Sequence, residues 1–166
     1  MGPRHPALEL AQRVLAIEAD AVRALIDRLD ERFLAALSLI LECRGRVIVS
    51  GIGKSGHVAR KIASTLSSTG TPAYFVHPAE ASHGDLGMVQ PEDVLIGLSN
   101  SGESEELLAI VPLLKRRGAR LIAMSGNAES TLAREADVHL DAGVAQEACP
   151  LNLAPTASTT AALALG

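Results

Sequence analysis

The chain has 166 residues, 48% hydrophobic and 20% charged, and its 15 lysines and arginines against 19 aspartates and glutamates give a formal charge of −4. Such a length and apolar share fit one domain with a sizeable core and exclude disorder as the main state. The acidic balance and the 2% aromatic content argue against a nucleic-acid partner, which asks for a basic face or for rings on which bases stack. Cys43 and Cys149 lie far apart with no paired spacing, so neither a disulfide framework nor a zinc site is expected, and a reducing compartment fits. Pro3, Pro6 and Glu9 stand where a targeting segment would carry a cationic lead and apolar core, and no segment is long enough to span a bilayer. A soluble, cytoplasmic protein with no membrane partner is expected.

Between Leu8 and Leu41, apolar residues such as Val22, Leu25, Ile26, Leu29, Phe33, Leu37, Ile40 and Leu41 recur at helical spacing, which predicts one long helix or two. From Arg46 onward the pattern changes to short β-rich runs at Arg46–Ser50, Ala73–Val76, Val94–Leu98, Arg120–Met124 and Val138–Leu140. Helices are predicted between them at Ser55–Ser68, Glu103–Arg117 and Ser130–Ala136, each opened by Ser or Glu, with Gly70 and Gly118 just past two of the ends. Strands alternating with helices give a parallel sheet covered by helices, an α/β fold. The segment His77–Gln90 has no clear period and reads as a long functional loop. Thr156–Thr160 can cap and begin a helix through Leu165, but one that short cannot support itself in water, so the chain reads as an excised domain.

Two loops in this pattern carry chemistry. Ser99-Asn100-Ser101-Gly102-Glu103-Ser104 follows the apolar run Val94–Leu98 and feeds a helix, so free backbone amides and three hydroxyls converge where a phosphate is best held. Gly51-Ile52-Gly53-Lys54-Ser55-Gly56 follows Val47–Ser50 in the same way and adds an ammonium. Its glycine spacing also suits a dinucleotide fold, but Phe75-Val76 runs into His77-Pro78, with no acidic residue ending that strand to hold a ribose. An ATP-type loop fails because Ile48 stands where its first glycine is needed. Lys54 is one of three lysines, and at a helix start its charge opposes the macrodipole unless an anion sits there.

Glu103, Glu105 and Glu106 follow the serine loop. Carboxylates in a first helical turn are commonplace dipole partners, yet Glu106, one turn from a bound phosphate, is also placed to move protons on the attached sugar. His77 and His83 flank Pro78–Ser82 without the spacing of a recognised metal-ligand set, and contacts to sugar hydroxyls or acid-base work suit them better. Glu147 precedes Ala148-Cys149-Pro150, where no helix signal asks for a carboxylate.

Taken together these stretches resemble the sugar isomerase (SIS) domain of bacterial arabinose 5-phosphate isomerases of the KdsD/KpsF type. The likeness runs through Gly51–His57, Ser68–Pro72, Phe75–Pro78, Ser82–Met88, Ser99–Ser104 and Glu147–Thr156, in order, and covers the chain from about Val14. It implies a flavodoxin-like three-layer sandwich around a five-stranded parallel sheet, with residues 1–45 as a helical segment packing on an SIS domain at 46–166. It also implies a homo-oligomer, often a tetramer, that takes a pentose phosphate and no cofactor. The product would lead to the sugar Kdo of lipopolysaccharide or capsule. By the same resemblance Lys54, Glu106 and Glu147 are catalytic, Gly70, Thr71, His77 and His83 contact substrate, and His77 is a site for inhibitory zinc.

Aldose and ketose interconvert when a proton leaves the carbon beside the carbonyl and returns to its neighbour through an enediol, which needs a carboxylate base and a group that stabilises the oxyanion. The expected division of labour gives Ser55, Ser99, Asn100, Ser101 and Ser104 the phosphate end, Lys54 the developing negative charge, and Glu147 or Glu106 the proton. Two features of the family are not in this sequence: a pair of CBS domains, and a catalytic histidine in a downstream His-Pro-Gly-Gly-like segment. None of His5, His57, His77, His83 and His139 matches that histidine by motif. A sugar-phosphate-binding module without turnover therefore stands as the alternative.

Overall fold

The computed structural model describes residues 5–82 and 84–166. The amino-terminal helical pattern resolves into α1 (Pro6–Ala24) and α2 (Glu31–Leu41), joined by a 3₁₀ turn at Ile26–Arg28. The break lies where Leu29 turns extended and the Asp30 carboxylate accepts from the Arg32 amide at 2.9 Å, a cap that starts a new helix. α1 starts at Pro6, with the His5 ring nitrogen accepting from the Ala7 amide at 3.2 Å. The apolar stripe is only partly used in this chain's core: Leu25 is buried, whereas Ile26 and Leu41 are 66% and 75% exposed.

Five parallel strands follow: β1 (Val47–Gly51), β2 (Ala73–Val76), β3 (Val94–Leu98), β4 (Arg120–Ser125) and β5 (Val138–Asp141), in the order β2-β1-β3-β4-β5. Between them run α3 (Gly53–Ser68), α5 (Glu105–Arg116) and α6 (Thr131–Glu135). The predicted strands and these helices are all present, shifted by a residue or two at their ends, and Gly70 and Gly118 take the left-handed conformation (φ 99° and 88°) that ends a helix. Every residue of β1 and β3 is buried, as expected of central strands covered on both faces.

Side chains alternate across the sheet into two cores. Ile48, Leu95 and Leu121 pack with Leu107, Ile110, Val111 and Leu114 of α5 and Leu132 of α6. On the other face Val47, Val49, Ile96, Leu98, Ile122 and Met124 pack with Ala59, Ile62 and Ala63 of α3 and Ala36 of α2. Each buried leucine, isoleucine or valine contributes roughly 1.5–3 kcal/mol of transfer free energy, so it is burial on both faces, more than helix propensity, that fixes where the strand ends fall.

Two expectations change. The segment read as one long loop contains α4 (Pro78–Ser82) and a 3₁₀ turn at Asp85–Met88. Here Pro78 and Ala81 are buried, α4 packs on α5, and the His77 ring nitrogen accepts from the Ala79 amide at 3.3 Å, so packing and a cap supply what periodicity did not. The terminal helix α7 (Ala157–Leu165) is also not left to support itself. It packs on α1 and α3 and buries Ala157, Ser158 and Ala161.

Candidate active site at the carboxyl edge of the sheet

β1 and β3 are neighbours although β2 lies between them in sequence, so chain direction across the sheet reverses at this pair and opens a crevice beyond their carboxyl ends. Both sequence-predicted loops meet there, because Gly51 pairs with Leu98 at the last rung of the ladder. The two helices leaving the crevice share a property. α1, α2 and α6 are capped by the side chains of His5, Asp30 and Ser130, whereas α3 and α5 have no side-chain cap. The cap position of α3 is Ile52, which has no acceptor to offer, and at that of α5 Ser104 turns its hydroxyl to Ser99 Oγ, 2.8 Å away. First-turn amides of two adjacent helices thus face the crevice without a side-chain acceptor, which is the arrangement that binds an anion.

The serine loop is built differently from the expected picture of three hydroxyls aimed at one point. Ser99 is 3% exposed, and its hydroxyl accepts from the Gly102 amide at 3.1 Å while pairing with Ser104. Ser101 Oγ accepts from the Glu103 amide at 3.2 Å. These bonds shape the turn, and in the Ser99–Ser104 pair one hydroxyl proton is consumed and the other is left for a ligand. Ser55, Ser99 and Asn100 line a small cavity of about 40 Å³ together with Ser125, Ser158 and Thr159. Ser101 and Ser104 do not line it.

Lys54 and Glu106 are each the second residue of their helix, α3 and α5, and both are exposed at the same edge of the sheet. Glu103 instead reaches α6, where Oε1 accepts from the Thr131 amide at 2.8 Å, and that bond holds its carboxyl below the usual range.

Glu147 corrects the expectation that no helix asks for a carboxylate there. Its Oε2 accepts from the Thr156 amide (2.7 Å), the Thr156 hydroxyl (3.0 Å) and the Ser158 amide (3.2 Å), so it caps α7 from nine residues upstream. Partial burial pushes this carboxyl up, but the nearby Ser158 and Thr156 groups outweigh burial and leave it below the ordinary glutamate value. Ser158 joins this carboxylate to the cavity. Its amide caps Glu147, while its hydroxyl, on a residue 4% exposed, lies close by without a partner in hydrogen-bond geometry.

His77 sits past the end of β2 on the same edge, edge-on to Phe75 at 6.4 Å, and the Arg60 guanidinium lies 4.0 Å over the Phe75 ring. With Nδ1 taken by the Ala79 amide, only its other ring nitrogen is open, and no group of three or more metal-ligating side chains forms among the described residues. His83 lies outside the described residues. Gly70 and Thr71 precede β2 and line a roomier groove of about 460 Å³ with Arg46, Ser67 and Tyr74. That groove is at the opposite, amino edge of the sheet, so within one chain these two residues are not brought to the crevice.

Sequence reasoning missed Ser125, His139, Ser158 and Thr159. Ser125 Oγ meets His139 Nε2 at 2.9 Å, and burial lowers the imidazole pKa, so the ring is neutral near pH 7. Ser158 and Thr159 stand within the hydroxyl-rich run before Ala161, whose pattern signals a helix start and no more; Ser125 ends β4 with no loop motif to mark it.

An SIS-domain family model matches residues 40–166. The chain is 59% identical over 156 residues to arabinose 5-phosphate isomerase KdsD of Pseudomonas aeruginosa, covering 94% of this chain and 48% of that protein. It is 54% identical over 158 residues to KdsD of Escherichia coli K12, covering 95% of this chain and 48% of that one. The chain thus spans about half the length of these relatives. Among solved structures, c3406 of E. coli CFT073, determined in complex with arabinose 5-phosphate, superposes with a TM-score of 0.91 at 42% identity, over 98% of this chain and 86% of that one.

Proposed function

The chain belongs to the SIS-domain family, and from that premise we propose that it binds a pentose 5-phosphate in the β1–β3 crevice and interconverts D-ribulose 5-phosphate and D-arabinose 5-phosphate through an enediol. One observation carries the reading: two helix starts, side by side at the switch point of the sheet, lack side-chain caps, while α1, α2 and α6 are capped by the residue before them and α7 by Glu147. Phosphate is the ligand that satisfies both at once.

In this reading the amides of α3 and α5, with Ser55, Ser99 and Asn100, hold the phosphate. Ser101 and Ser104 shape the loop that does so. Lys54, exposed at the start of α3, balances negative charge on the phosphate and on the enediolate oxygen. A carboxylate takes the proton from the carbon beside the carbonyl and the carbonyl oxygen gains a proton as the enediol forms; on collapse the neighbouring hydroxyl oxygen gives one up while the carboxylate returns its proton to the former carbonyl carbon, so no atom is lost or gained. Glu147 is favoured over Glu106 as that carboxylate because the Ser158 amide ties it to a turn of α7 that lines the cavity. His77 contacts sugar hydroxyls and offers inhibitory zinc a single nitrogen. Residues 1–45 serve as a helical segment packed on the 46–166 domain, and their exposed apolar side chains suit a homotetramer. The name of the KdsD relatives supports a step toward Kdo.

The test is direct assay of arabinose 5-phosphate formed from ribulose 5-phosphate, beside titration with both sugars at low ionic strength. Glu147→Gln should abolish isomerisation and leave sugar-phosphate binding nearly intact. Retained turnover overturns the role given to Glu147. Binding without turnover in the unaltered chain would favour the sugar-phosphate-binding module, and absence of binding would sink both readings.

A further inference from the structure

We infer that Thr156 is a positioning residue that locks one oxygen of Glu147 and commits the other, Oε1, to proton transfer. The inference rests on the role proposed for Glu147 and adds to it a division of labour between the two carboxylate oxygens.

Thr156 stands at the cap position of α7, where threonine ordinarily turns its hydroxyl back to an amide of its own helix. It does not do so. It makes no side-chain cap bond, and its backbone (φ −136°, ψ −81°) is not that of an ordinary cap. Its Oγ1 accepts from the Ala148 amide at 2.7 Å and donates to Glu147 Oε2 at 3.0 Å. Because an ionised carboxylate can only accept, the direction of the second bond is fixed: the hydroxyl proton must point at Glu147, while a lone pair takes the Ala148 amide.

The consequence is a closed ring in which Thr156 holds both the backbone beside Glu147 and the end of its side chain. Ala148, the residue so held, is 5% exposed. The Thr156 and Ser158 amides complete three donors on Oε2, and the Ser158 hydroxyl lies close to the carboxylate without hydrogen-bond geometry to either oxygen. A carboxylate oxygen bearing three donors has no good lone pair left for a carbon-bound proton, whereas Oε1 keeps its own. A valine at position 156 would keep the shape and the amide but lose the hydroxyl, so the carboxylate would regain rotation about its last bond. A serine would keep the hydroxyl.

Three readouts decide the matter. In the assay of ribulose 5-phosphate isomerisation, Thr156→Val should lower kcat about tenfold or more with KM within about twofold, the pattern of a lost orientation rather than lost binding. The acid limb of its pH profile should move to higher pH because one donor to the ionised carboxylate is gone, and Thr156→Ser should restore both. Carbon-13 titration of the Glu147 carboxyl, assigned with Glu147→Gln, should show the same upward move in Thr156→Val without any substrate. In the unaltered chain the Thr156 amide proton should titrate with the Glu147 midpoint, a reading that needs no variant to fold. Wild-type kcat in Thr156→Val, an unmoved carboxyl titration, or a Thr156 amide indifferent to Glu147 would each overturn the inference. So would equal losses in the valine and serine variants. A chain that turns over no pentose phosphate defeats the proposed function, and the carboxyl titration still decides the part played by Thr156.

Discussion

Gly56 approaches Gly51 so closely that a β-carbon on Gly56 would stand 2.7 Å from the Gly51 carbonyl oxygen. The first turn of α3 is therefore pressed against the end of β1, and this contact sets where the α3 amides stand in the crevice. Gly56→Ala should displace that turn, weaken pentose-phosphate binding about tenfold or more and cost on the order of 1–3 kcal/mol of stability. Calorimetric titration and urea unfolding check the two together. Undiminished binding would mean that the start of α3 does not hold the phosphate.

The same glycines explain how much could be read beforehand. Gly51, Gly53 and Gly56 were visible as a loop, and the alternation of strands and helices gave the layers, because both signals are local. That β1 and β3 are neighbours is a pairing across a long separation, which periodicity does not carry. The parts that local signals do not carry are those decided by packing or by distant caps: α4, held by buried Pro78 and Ala81, and Glu147, which bonds the cap residue Thr156 nine positions on. The motif marks the serine loop but does not reveal that the turn itself needs most of its hydroxyls.

Gly102 holds that turn. It takes φ +69°, and a β-carbon there would overlap the Ser130 side chain, which caps α6 through the Ala133 amide. Gly102→Ala should therefore cost on the order of 3 kcal/mol, from left-handed strain and from displacing a cap. Adding Ser130→Ala should recover only the part due to the hydroxyl, because the β-carbon that alanine keeps would still overlap the new one. Denaturant midpoints of the two single variants and the double variant measure the coupling; strict additivity would show that the two sites do not touch.

Asp93 pins the other end of the sheet. It is 2% exposed, and its carboxylate accepts from the Arg46 amide at 2.7 Å and the Gln90 amide at 2.8 Å, just before β1 and β3. Asp93→Ala leaves two part-buried amides without their acceptor and should cost on the order of 1–3 kcal/mol, while Asp93→Asn, which keeps an acceptor, should cost less. Because the residue lies at the amino edge, affinity for pentose phosphates should hardly change in either variant that folds. A loss of affinity exceeding the loss of stability would show that this edge communicates with the crevice.

Glu147 should also leave a mark on stability, separate from any turnover. Its carboxyl sits below its ordinary value in the folded chain because the Thr156 and Ser158 donors outweigh the effect of burial. A carboxyl depressed on folding stabilises the protein at pH values above its unfolded pKa, about 4.3 for glutamate. The contribution fades as pH falls through the lower folded value, where both states carry the proton. Glu147→Gln should thus be less stable than the unaltered chain at pH 7 by on the order of 1 kcal/mol, the size of a lost helix cap, with solvent screening of the half-buried carboxylate keeping it from being larger. The two unfolding curves should draw together as pH falls below the unfolded value and through the lower folded one. A gap that persists unchanged at the acid end would mean that the charge of Glu147 contributes nothing to holding α7, and that its bonds to Thr156 and Ser158 act through shape alone.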